Sequence, residues 1–136
     1  LAARDVALGQ PDEVPVAIGA ASYWELAASS IGQVDGMSGV PLPGHAGRFE
    51  TAMMLALESR HVREPRTERE VDPAGSPPVP GARVEVTGSW ASFDGYTDFP
   101  HLATVELGEE LLEVVVRDVA AALVRFAVAP LPSGEA

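Results

Sequence analysis

The chain has 136 residues, 46% of them hydrophobic, with 20 acidic residues against 9 basic ones and a formal net charge of -11. That size and apolar content suit one globular unit with a core, while the acidic balance repels phosphate backbones and excludes a nucleic-acid binder. Every basic residue is Arg, which excludes Schiff-base and P-loop lysines, and the lack of Cys excludes disulfides, thiolate metal sites and cysteine nucleophiles. The most apolar stretch, 111–129, is interrupted by Glu113, Arg117, Asp118 and Arg125, so no membrane span is predicted, and a cytoplasmic protein is expected.

In chain order, residues 1–8 read as the end of a helix lacking its N-cap, which predicts a protein that begins upstream. Residues 14–20, Val-Pro-Val-Ala-Ile-Gly-Ala, form an apolar run suited to a strand buried on both faces of a parallel sheet. Helix, loop and buried strand make the αβ half of a βαβ unit, and Ser22-Tyr23-Trp24 then falls at the strand end where α/β ligands gather. Trp24 there serves either ligand contact or the core. The Gly- and Pro-rich stretch 30–44 is a loop, and the spacing of Phe49, Met53 and Leu57 and of Met54 and Leu55 gives an apolar face that predicts a helix from about 46 to 59.

Residues 64–82 read as an extended surface connection, and 83–87 as a short alternating strand. The loop 88–100 carries Trp90, Phe93, Asp94, Tyr96, Asp98 and Phe99; Asp94, Asp98 and the adjoining His101 could bind a cation or a partner, or serve as turn formers. Thr104 is placed to cap a long amphipathic helix to about 127, with Leu107, Leu111, Val115, Val119, Ala122 and Phe126 on one face. Residues 130–136 are expected to be a mobile tail.

The three histidines, His45, His61 and His101, lack any short metal-ligand spacing. His61 has the position of a favourable helix-end residue. His45 stands between glycines just ahead of a helix that holds Glu50. Within one helix the two would point about 140° apart, so convergence requires His45 outside it, which the Gly44 and Gly47 flanks permit. A loop imidazole can then pass a proton to a leaving nitrogen while a carboxylate fixes its tautomer. The alternative is a loop histidine next to an exposed first-turn acid.

The segment Gly44-His45-Ala46-Gly47-Arg48-Phe49-Glu50-Thr51, continued by Ala-Met-Met-Leu-Ala-Leu, resembles the Gly-His-Ala/Gly-Gly-x-Phe-Glu-Thr signature of the creatininase family. Ser22-Tyr23-Trp24-Glu25-Leu26 resembles its strand-end Trp motif, and 95–112 its loop into the final helix. The resemblance implies an α/β fold, a three-layer α/β/α sandwich with a mostly parallel sheet, of which residues 1–136 form the C-terminal half. It implies a metal-dependent amidohydrolase acting on a non-peptide C–N bond in a cyclic amide or formamide, with divalent Zn or Mn ions. His45 resembles the proton-transferring histidine and Glu50 its supporting carboxylate or a metal ligand. Trp24 and Tyr23 resemble substrate contacts.

The family's Glu-x-His and Asn-Gly-His ligand patterns do not occur in these residues, so the remaining ligands are expected upstream and the chain alone is expected to be inactive. Residues 39–43, Gly-Val-Pro-Leu-Pro, lack the second Trp of creatininase itself, which argues against creatinine. A homo-oligomer, such as the family's hexamer, is expected. The competing reading is a truncated, non-catalytic family member serving as a structural or interaction module.

Overall fold

The computed structural model describes residues 17–66, 68 and 95–130. Two short helical turns, α1 (Tyr23–Leu26) and α2 (Ala28–Ile31), are separated at Ala27, whose φ of -103° and ψ of 3° leave the helical basin. They lead through a chain of turns to α3 (Arg48–Glu58), extended by a 3-10 turn at Ser59–His61. A second 3-10 turn, Pro100–Leu102, precedes α4 (Val105–Val128).

The two long helices follow from local sequence rules. Thr104 sits in extended conformation and its hydroxyl accepts the Leu107 N–H at 3.1 Å, capping α4 as its position predicts. The long α3 has Gly47 as its N-cap and no side-chain cap, so its first donors must find partners elsewhere.

α3 packs on α4 at Gly108, where an added methyl would run into the Ala52 carbonyl. That absence of a side chain lets the backbones meet. The core beside this contact consists of Ala27, Ile31, Val34, Met37, Phe49, Ala52, Ala103, Leu107, Leu111 and Val115. Phe49 is fully buried, which contributes about 1.5–3 kcal/mol of transfer free energy. It therefore fixes α3 to the turns on either side.

Several expectations are corrected. Residues 17–20 form no strand, and among the described residues there is no sheet; an extended segment needs a neighbour to pair its N–H and C=O groups. Gly19 instead lies against the Phe126 ring, 3.1 Å from where a Cβ would stand. The strand expected at 83–87, most of the connection at 64–82 and the tail beyond 130 lie outside the described residues. The predicted apolar faces also run too far. Met54 and Leu57 of α3 are exposed, as is Phe126, while α4 stays buried only through Val115 and partly packed at Val119. No helix among the described residues is long and apolar enough to cross a membrane.

Candidate functional site

His45 lies outside α3, on the turn that enters it, as convergence with Glu50 requires. The turn is strained: Gly44 has φ 68° and Ala46, a non-glycine residue, has φ 46°. Left-handed backbone costs an alanine roughly 1–2 kcal/mol and persists only where surrounding contacts over-determine it.

Those contacts are present. The Glu50 carboxylate reaches back from the third position of α3 to accept the Ala46 N–H at 2.7 Å, and the Thr51 hydroxyl donates to the Ala46 carbonyl at 3.0 Å. From the other side, the His45 N–H donates to Thr97 Oγ1 at 2.8 Å and the Thr97 N–H donates to the His45 carbonyl at 2.8 Å. The Asp98 carbonyl accepts the Arg48 N–H at 2.7 Å, supplying the first turn of α3 with a partner that Gly47 cannot. Arg48 in turn donates from Nη1 to the Gly36 carbonyl at 2.5 Å, tying down the Gly-rich loop.

Beside this turn opens a cleft of about 750 Å³. Tyr23, Ala46, Glu50 and Thr51 form one part of its wall, and Met53, Met54 and Leu57 an apolar side. This placement accounts for the exposure of Met54 and Leu57, which the helical period alone assigned to the core. Tyr23 stacks on Phe49 with ring centroids 6.2 Å apart. Burial, and then the nearby Glu50 carboxylate, raise the Tyr23 phenol above its ordinary value of 10.0, so it meets the cleft as a neutral hydrogen-bonding group.

Of the residues singled out in the sequence, Tyr23 and Glu50 line the cleft, and His45 is exposed on the turn next to its wall at Ala46. Trp24 does not line it; its ring packs against the core and meets Tyr23 edge-on at 4.9 Å. His61, read as a helix-end residue, lines the cleft together with Arg63, Arg66 and Tyr96. Arg66 donates to the carbonyls of Pro100 and Ala103, joining that wall to the start of α4. Asp98, read as a turn former or a cation or partner ligand, is fully buried. Asp94 and Trp90 lie outside the described residues.

A metal site does not emerge from this set. Among the described residues no group of three or more His, Asp or Glu side chains converges, and one oxygen of Glu50 is committed to the Ala46 N–H. The arrangement suits proton handling beside an open, partly apolar cleft.

Compared with known families, residues 2–123 match the creatininase family model, described as creatinine amidohydrolase. No curated protein and no solved structure matches the chain.

Proposed function

This chain belongs to the creatininase family, and from that membership we propose that it is the proton-handling part of an amidohydrolase that cleaves a non-peptide C–N bond in a cyclic amide or formamide. The observation that carries the reading is the His45 turn: an imidazole set outside α3, with its main chain pinned by Thr97 and its neighbour pinned by Glu50, beside a cleft. In this reading His45 delivers a proton to the departing nitrogen. Collapse of a tetrahedral intermediate expels that nitrogen as a neutral amine only if it is protonated, and an imidazole ring nitrogen can carry and deliver that proton. Glu50 holds the turn, and Tyr23 offers its phenol to a substrate carbonyl or ring nitrogen.

The family is an α/β one and generally metal-dependent, with zinc foremost. The described residues do not fit a resident metal on their own, because one Glu50 oxygen is engaged by the Ala46 N–H and no group of three or more ligand side chains converges among them. The three-layer sandwich, the Zn or Mn centre and a homo-oligomer belong to the same proposal. Exposed Val116, Val124 and Val128 on α4 are apolar surface that assembly would cover. No observation favours a non-catalytic module.

The test is a hydrolysis panel. Full-length protein, with and without added zinc or manganese, is incubated with cyclic ureas, lactams, creatinine and N-formyl amines, and released amine or formate is quantified. Metal-supported turnover of one of these classes supports the reading. Failure on all of them, by protein shown to be folded and metal-loaded, removes it.

A further inference from the structure

Two glycines flank the His45–Ala46 pair, and the structure gives both the same cause. A Cβ on Gly44 or on Gly47 would stand 2.6 Å from Asp98 Oδ1, and at Gly47 the Asp98 carbonyl would also lie 2.8 Å away. Contacts that short do not occur at real side chains, so the turn closes around the Asp98 carboxylate only because both positions lack one. Asp98 is 0% exposed, and its Oδ2 is buried with no hydrogen-bond partner among the described residues. A buried carboxylate oxygen left unsatisfied costs stability. Stability alone therefore does not explain it.

The contact from this carboxylate to His45 runs through Thr97. The Thr97 hydroxyl donates to Asp98 Oδ1 at 2.6 Å, a short O–H···O bond. A hydroxyl has one proton to give. Because the carboxylate takes it at 2.6 Å, in preference to the His45 carbonyl at 3.4 Å, the oxygen presents a lone pair to the His45 N–H. The carboxylate thereby sets the hydroxyl rotor, and the rotor sets the histidine backbone.

We propose that Asp98 is a positioning residue for His45, acting through the Thr97 hydroxyl to hold the histidine turn in its strained conformation. The role rests on the reading of His45 as the proton donor, but its structural content does not depend on turnover. A residue that positions a catalytic group at the expense of stability has a signature that a structural residue lacks: replacing its carboxylate by an amide loosens the group it holds while the fold stays as stable or becomes more so.

Amide hydrogen exchange on the full chain reads this directly. Thr97→Val removes the acceptor of the His45 N–H and is expected to speed exchange there by about tenfold, the equivalent of one ordinary hydrogen bond. Thr97→Ser keeps the hydroxyl and should restore protection to within about twofold. Asp98→Asn is expected to speed His45 exchange by at least about threefold, with an unchanged or raised melting temperature and unchanged protection at Leu111 and Phe49. The proposal is overturned if Asp98→Asn leaves His45 exchange unchanged, or if it lowers the melting temperature and deprotects Leu111 together with His45. Should Asp98→Asn not fold, the threonine pair decides, since equal exchange in Thr97→Val and Thr97→Ser also overturns it. None of these readings requires a substrate, so failure of the hydrolysis panel and failure of this proposal are separate results.

Discussion

Glu50 accepts the main-chain N–H of Ala46 at 2.7 Å, so the carboxylate one turn into α3 holds the left-handed residue that follows His45. This one bond links the acid and the histidine through backbone. It makes the Glu50 side chain a brace of the turn as well as a wall of the cleft.

Replacing Glu50 by Ala leaves the Ala46 N–H to water and is expected to lower unfolding stability by about 0.5–1 kcal/mol, the bond being partly solvent-exposed. Glu50→Gln retains an acceptor and should lose less than half of that. Urea denaturation of the two variants side by side checks the order, and equal losses would assign the effect to charge alone.

Ala46→Gly should move stability the other way. Its φ of 46° is strained for alanine and ordinary for glycine, so the substitution is expected to raise stability by about 0.5–1 kcal/mol even though glycine usually lowers it. A lowered urea midpoint would mean that the turn is not left-handed in solution.

Gly108→Ala tests the helix contact. A methyl there meets the Ala52 carbonyl, which is backbone and cannot rotate away, so α3 and α4 must separate. The expected cost is about 1–3 kcal/mol, as for other overpacked cores, measured as a lower urea midpoint. A neutral result would mean that the two backbones are not in contact.

Tyr23 gives a pH-dependent reading. Its folded phenol titrates above its ordinary 10.0, chiefly through burial and secondarily through Glu50. Because the folded value is the higher one, the associated stability is fully present below the unfolded phenol value and is lost as pH rises through the folded one. In ultraviolet titration Glu50→Gln should lower the Tyr23 transition without returning it to the ordinary value. No movement in that variant would separate Tyr23 from Glu50.

The sequence shows part of this site plainly. Gly44, His45, Gly47 and Glu50 are close neighbours in the chain, and Thr104 announces α4 by ordinary capping rules. The Thr97–Asp98 half was not readable from spacing, because it meets His45 across an interval of 52 residues. The paired glycines were the available signal, since they imply that something presses on the turn from both sides. Met54 and Leu57 misled for a related reason: helical period shows which residues share a face but not whether that face meets a core or a cleft. The expected sheet rested on the family resemblance, an apolar run at 14–20 and an alternating segment at 83–87, and residues 17–20 are exposed and form no strand.

The most direct test of the account is the pH-dependent turnover of His45→Gln in metal-loaded, full-length protein on whichever amide the panel identifies. Loss of the histidine as proton donor should lower kcat by about 10²–10⁴-fold while metal content and melting temperature hold. Wild-type kcat in this variant, with the same pH profile, would contradict the assignment of His45 as the proton-transferring residue.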